Sequence, residues 1–330
     1  MTIDINNLTD EQKQQLIIAL QASLKTSPRA EDKLINEIRE TRFNAGFKCP
    51  HCGSNHVVRH GTYKGNKQRY LCRNCKTTFS DLTNTPMSRT KFPEKWGLFA
   101  DCMLKGYSLR KSAEIIGVSY VSLFYWRHKL LEALKKTENR PFEGIVEMDE
   151  TFFLHSEKGK RNITNRKPRK RGGVAKKKGI KAPHVCVIVA RDRSKNTISQ
   201  VVNIGGAKVD KISKVVSPYL NNMNILCTDG WKGYITLADS KDMDHHVLQE
   251  NRVYRGIFHI QNVNAYHSRM KKWIERFNGV ASKYLDNYLA WFKFLDSKRF
   301  EDTTGILIES CLHNVNETND SIRLGEFEVA

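Results

Sequence analysis

The chain has 330 residues, with 55 Lys and Arg against 35 Asp and Glu, for a formal net charge of +20. At 39% hydrophobic and 9% aromatic residues it can fill real cores, which excludes disorder along the whole length, and its size predicts two or three domains. A charge of +20 has two readings, a polyanionic partner that offsets self-repulsion or a basic surface serving only solubility, and the distribution of the charge along the chain decides between them.

The first segment, 1–45, is predicted helical. Thr9 followed by Gln12 is a capping-box signature, and Leu16, Leu20 and Leu24 then recur at i+4. Residues 1–7 carry acids where a secretory signal would carry a basic region ahead of an apolar stretch. No apolar run anywhere approaches the ~20 residues that span a bilayer.

Residues 46–82 have a different texture. Cys49 and Cys52 form one Cys-x-x-Cys pair, Cys72 and Cys75 another, and nineteen residues separate them. Between the pairs, 57–61 and 68–71 read as short strands about a Gly-containing turn. Each pair makes a tight knuckle that aims two thiolates at one point, and two knuckles complete a tetrahedron about Zn²⁺. A redox Cys-x-x-Cys would need one pair beside a βαβ unit, so this is a predicted zinc ribbon with a structural Zn²⁺ that stabilises a segment too small to fold unaided. The remaining four cysteines are scattered singly, the pattern of a reducing compartment.

Residues 83–138 contain a predicted helix-turn-helix. Ser108 caps a helix with Leu109, Ala113 and Ile116 inward; Gly117, Val118 and Ser119 form the turn. The next helix would present Val121, Phe124, Leu130 and Leu131 inward and carry Arg127, His128 and Lys129 in its middle, with Arg127 and Lys129 as candidate DNA contacts. The other reading is an ordinary αα-hairpin in a larger helical domain. A zinc ribbon upstream and a basic chain favour DNA binding.

From 142 to 299 the pattern becomes α/β. Strands are predicted at 145–153, 184–190, 199–204 and 224–227, and helices at 210–220, 230–238, 262–277 and 283–295, giving a mixed sheet flanked by helices. The segment 155–182 interrupts this core with twelve Lys and Arg against Glu157 alone, over half the chain's net charge. With Gly172, Gly173 and few apolar residues it reads as a mobile insertion. A charge run is commonly just solvated; its place between two core strands makes Arg166, Arg169, Lys170, Arg171, Lys176, Lys177 and Lys178 candidate phosphate contacts.

Acids cluster in two places. Glu147, Asp149 and Glu150 lie in one predicted strand, with Glu147 and Asp149 on one face and Glu150 on the other; an exposed edge strand would look the same. Asp229 ends a short apolar strand and precedes a Gly, where ligands gather in open α/β sheets and where a helix-capping Asp also sits. In a helix over 262–277, Asn264, His267 and Lys271 fall on one face. The final segment, 300–330, is acidic, with Arg323 its only Lys or Arg, and reads as a terminal helix and tail.

The order zinc ribbon, helix-turn-helix, MDET strand, strand ending in TDG, then HIQNVNAYHSRMKKW resembles bacterial insertion-sequence transposases with an Asp-Asp-(Glu/Asn)-Lys signature, over about 49–295. The resemblance implies a ribonuclease H-like catalytic core. It makes Asp149 and Asp229 the first two catalytic acids, puts Asn264 at a third position often held by Glu, and makes Lys271 the basic residue that follows. It further implies two Mg²⁺ or Mn²⁺ ions held by Asp149, Asp229 and Asn264. Because an amide carries no charge, His267 one turn further on, or Glu275 if a third carboxylate is needed, is the fallback third ligand. Arg269 and Lys272 would join Lys271 on phosphates. The implied partners are double-stranded DNA, both terminal inverted repeats and target, and a second copy of the chain when two element ends are paired, in a bacterial cytoplasm at the nucleoid and without a membrane role. The competing readings are a zinc-ribbon and helix-turn-helix regulator, or a domesticated transposase that binds without cutting; the uncharged Asn264 is the feature that supports them.

Overall fold

A computed structural model describes residues 9, 12–13, 30–44, 46–63, 67–137, 139–164, 184–248, 254–297, 305–313, 315 and 317–327. The chain divides into two compact units, residues 1–105 with 302–314, and residues 106–301 with 315–330. No described helix is long and apolar enough to cross a membrane.

In the first unit the capping box at the N-terminus is present, with Thr9 N–H donating to Gln12 and Gln12 N–H to the Thr9 hydroxyl. Helix α1 (Ala30–Arg42) leads into a three-stranded antiparallel ribbon, β1 (Val57–Tyr63), β2 (Lys67–Cys72) and β3 (Thr78–Phe79). Tyr70, Phe79 and the buried Cys49 and Cys72 form its small core, with Phe43 and Phe47 stacked against each other beside it. Arg39 and Arg42 of α1 reach Asp81 just past the ribbon, at 2.8 Å and 2.7 Å. Helix α2 (Trp96–Leu104) buries Trp96, Phe99 and Met103.

The second unit begins with α3 (Leu109–Ile116) and α4 (Tyr120–Lys135), capped by Ser108 and Ser119 as their sequence predicts. Gly117 ends α3 at φ 68°, a left-handed turn that a side chain would strain. The buried face of α4 differs from expectation. Leu123, Arg127, His128, Leu130, Leu131 and Leu134 face inward, while Val121 is exposed. Two polar residues can lie inside because distant partners receive them. The Arg127 guanidinium donates to the Tyr107 carbonyl at 3.0 Å and lies 5.0 Å from the Trp291 ring, and burial beside Arg127 pushes His128 down to about 3 and keeps it neutral.

A five-stranded mixed sheet follows, built from β4 (Ile145–Leu154), β5 (His184–Asp192), β6 (Thr197–Ile204), β7 (Ile225–Thr228) and β8 (Asp244–Val247), in the order β6-β5-β4-β7-β8. The first three strands pair antiparallel, whereas β4 with β7 and β7 with β8 pair parallel. This is the ribonuclease H-like arrangement. One face of the sheet packs Val146, Met148, Ile188 and Ala190 against α5 (Val209–Val216) and α6 (Lys232–Asp239). After a short hairpin, β9 (Tyr254–Arg255) and β10 (Phe258–His259), the other face receives α7 (Gln261–Glu275) and α8 (Leu285–Ser297). The acidic terminus forms two helices where one was expected, α9 (Gly305–Leu312) in the first unit and α10 (Asn319–Leu324) in the second.

Candidate active site and metal centre

The ribbon's four thiols converge. Cys49 and Cys75 Sγ are 3.7 Å apart, Cys52 and Cys72 Sγ 3.6 Å, and all four lie within 4.8 Å of one another. Zinc–thiolate bonds of about 2.3 Å give a tetrahedron with edges of roughly 3.8 Å, so the spacing fits one ion. The knuckle backbone helps: the Cys75 N–H lowers the Cys72 thiol's pKa, and the His51 N–H points at Cys49 Sγ at 3.4 Å.

The second site is built on β4, β7 and α7. Parallel pairing of Glu147 with Cys227 sets the register, which directs Asp149 and, just past the carboxyl end of β7, Asp229 to the same end of the sheet, near enough that the Asp229 charge acts on Asp149. Burial, then the Glu150 and Asp229 charges, push the Asp149 carboxyl from 3.8 up to about 7, against an opposing pull from Lys271. Glu150 faces the other side of the sheet, as strand alternation predicts, and accepts a 2.6 Å hydrogen bond from the buried Tyr234 hydroxyl. Asp229 accepts the Trp231 N–H at 3.0 Å, which fixes the turn into α6.

Helix α7 lies along the Asp149 face of β4, and Glu147 docks its first turn. That carboxylate is 1% exposed and accepts from Val263 N–H at 2.9 Å, Asn262 Nδ2 at 2.6 Å and Arg193 at 2.7 Å, with His259 Nδ1 3.3 Å away. An anion at a helix N-terminus meets unpaired N–H groups and the positive end of the dipole, so Glu147 sets the height of α7 on the sheet. Sequence reasoning saw Glu147 only as a neighbour of Asp149. The available signal was a lone acid between apolar residues Val146 and Met148 of a core strand.

With α7 so placed, Val263, Tyr266, Met270, Trp273 and Ile274 are buried and His267 turns toward Asp149, Nδ1 to Oδ2 at 3.6 Å. Burial and the Lys271 charge lower the His267 pKa to about 4, so the ring is neutral. Asn264, one turn earlier, is exposed, and its side chain makes no hydrogen bond among the described residues. Lys271 is exposed one turn after His267, with its charge felt at Asp149. Glu275 is exposed one turn further along the helix.

Other candidates are placed as follows. Arg127 is 2% exposed, held by Tyr107 and Trp291 inside the unit, and so is not presented to a phosphate; Lys129 is half-buried. Arg269 forks onto Asp296 at 2.8 Å and 3.2 Å, while Lys272 is exposed. A cavity of about 370 Å³ beside α7 is lined by Arg193, Lys195, Asn262, Arg269 and Asp296, on the flank away from His267. Residues Arg166, Arg169, Lys170, Arg171, Lys176, Lys177 and Lys178 lie outside the described residues. The start of the basic insertion is described and is docked: Lys158 Nζ donates to the Phe277, Asn278 and Gly279 carbonyls just past α7, and Ser156 bonds Ser282.

Residues 141–295 match the ISXO2-like transposase domain, and residues 46–76 match the InsA N-terminal domain. An uncharacterized protein in transposable element ISH50 of Halobacterium salinarum is 27% identical over 270 residues, covering 80% of this chain and 90% of that one. The core over residues 141–295 is thus similar to the ISXO2-like transposase domain, and the ribbon over residues 46–76 to the InsA N-terminal domain.

Proposed function

We propose that the protein is the transposase of an insertion sequence, binding the terminal inverted repeats of its element, cutting a strand at each end and joining the freed 3′-hydroxyl to target DNA. The observation that carries this reading is that the β4–β7 register directs Asp149 and Asp229 to one end of the sheet, with the Asp229 charge acting on Asp149, within the residues that match the ISXO2-like transposase domain. Residues of this kind fit divalent cations: both offer hard oxygen donors, and partial burial with the Glu150 and Asp229 charges opposes the ionisation of Asp149 until a positive charge arrives. Asp149, Asp229 and the amide oxygen of Asn264 would hold two Mg²⁺ or Mn²⁺ ions. Bound there, the ions supply activation of the attacking oxygen and stabilisation of the leaving one in an in-line phosphoryl transfer.

The chain's own residues do the rest. Glu147 fixes α7 against β4, so that the polar face of α7 stays opposite Asp149. Lys271 and Lys272, exposed on α7, contact the scissile strand's phosphates, and the basic insertion tracks the backbone beyond. A core that grips phosphates cannot select a sequence, so the ribbon and the α3–α4 pair read the repeats. Synapsis of two ends requires at least two copies of the chain.

The test is strand transfer of a labelled oligonucleotide carrying the element's end, with Mg²⁺ or Mn²⁺. Product from the wild type, lost in Asp149→Ala and Asp229→Ala, is expected. No product from a wild type that still binds the end would overturn the reading in favour of a DNA-binding regulator.

A further inference from the structure

We propose that His267 is a direct ligand of the divalent ion held by Asp149 and that it tilts this site toward Mn²⁺ over Mg²⁺. The proposal rests on the two-ion reading above and goes beyond it, because that reading assigns the α7 contribution to Asn264. Three observations carry it. His267 is 7% exposed, and it is the polar side chain of α7 that the fold turns onto Asp149. Its Nδ1 stands 3.6 Å from Asp149 Oδ2, too far for an N–H···O bond of about 2.7–3.2 Å. Two donors on one ion, each about 2.1 Å from it, sit roughly 3.0 Å apart at a right angle and roughly 3.4 Å apart at a tetrahedral angle, so closing the gap needs only a few tenths of an ångström. Finally, Nδ1, the nitrogen that faces Asp149, has no protein hydrogen bond among the described residues; Nε2 is also buried unpaired, and would remain an N–H there with an ion at Nδ1.

A core histidine is ordinarily satisfied, and an Nδ1 left unpaired beside a carboxylate calls for an ion or water that completes it. Here neither ring nitrogen has a protein hydrogen bond among the described residues, although the ring is pinned between β4 and α7. Asn264, by contrast, points to solvent. An imidazole in place of a third carboxylate changes the donor set from all oxygen to oxygen plus nitrogen. Mg²⁺ demands hard oxygen ligands, whereas nitrogen donors are bound better by later divalent ions. His267 therefore acts as a specificity-determining ligand.

The experiment uses the full-length, zinc-loaded protein without DNA and Mn²⁺ as the probe. Pulsed EPR reads whether a bound Mn²⁺ couples to an imidazole ¹⁴N, and titration reads affinity. Expected are a ¹⁴N coupling in the wild type, its loss in His267→Ala and His267→Gln, and a fall of tenfold or more in Mn²⁺ affinity against a smaller fall for Mg²⁺. His267→Asp should bind again without the nitrogen signal and with the Mn²⁺ preference reduced. Mn²⁺ bound in an Asp149-dependent way but without ¹⁴N coupling overturns the His267 proposal alone, and needs no variant that has to fold. Failure of the wild type to bind Mn²⁺ in any Asp149-dependent way overturns the two-ion reading together with it.

Discussion

Asp149→Asn should stabilise the second unit while abolishing catalysis, and the gain should depend on pH. Asp149 titrates near 7 in the folded chain and near 3.8 when unfolded, with burial as the largest cause and the Glu150 and Asp229 charges adding to it. Between these values the folded state holds a proton that the unfolded state has lost, so stability falls as pH rises through the window and the loss is complete above it. About three pH units correspond to roughly 4 kcal/mol at pH 8, and to under about 2 kcal/mol at pH 5, where the folded carboxyl is still protonated. Asparagine keeps the shape of the protonated acid and cannot ionise. Hydrogen exchange of β4 and β7 amides, corrected for intrinsic rates and run on zinc-loaded protein without added Mg²⁺ or Mn²⁺, reads this unit alone. The variant should gain roughly 10³-fold protection over wild type at pH 8 if these amides open by unfolding, and far less at pH 5. Added Mn²⁺ should close the gap at pH 8 by stabilising only the wild type. An equal gap at both pH values, or none at pH 8, would refute the claim that the metal-free site is strained by its own charge.

Cys72→Ser should release the ribbon's zinc and remove exchange protection from residues 46–79, with β4 protection unchanged; metal content by mass spectrometry checks the first point. Weakened selectivity for the element's end in the same variant would tie the ribbon to repeat reading. Replacing Arg169, Lys170 and Arg171 with Gln should flatten the plot of log affinity for DNA against log salt by about 0.9 for each phosphate that is no longer neutralised, and an unmoved slope would make that segment a solvated bystander. Arg127→Met should behave in the opposite way, costing roughly 2–4 kcal/mol of stability by removing the Tyr107 hydrogen bond and the stacking on Trp291 while leaving the salt slope unchanged.

Local patterns made much of this molecule legible. The Cys spacing announced the ribbon, alternating and continuous apolar runs marked β4, β5, β6 and β7 to within a few residues, and Ser108 and Ser119 marked the starts of two helices. What stayed hidden depended on partners far away in sequence. Arg127 and His128 are inside because Tyr107, Tyr284 and Trp291 receive them, and nothing within α4 says so. Glu147 is a helix anchor because Asn262 and Val263 lie over a hundred residues later. Helix α9 could not be assigned to the first unit from its own residues, since only the folded chain brings 302–314 back to 1–105.

The chain's charge acquires a location from the same topology. Leu154, the last residue of β4, pairs with His184, the first of β5, so the basic insertion leaves and re-enters the sheet at one point. That point lies beyond Asp149 along β4, at the end where β7 delivers Asp229 and where α7 carries Lys271 past His267. Lys158 fastens the start of the insertion to the carbonyls that follow α7, so its tether is fixed relative to Lys271 and Lys272 as well. Asp149 resists ionisation and so needs cations nearby, and the strongest local supply of positive charge in the sequence is hung from the strand that bears it. A basic arm anchored anywhere else on the sheet could neutralise DNA equally well in bulk, yet it could not hold a phosphodiester against Asp149 and Asp229. On the proposed function the excess of Lys and Arg is part of how the acids are used, and moving the arm to another turn should cost strand transfer far more than it costs DNA affinity.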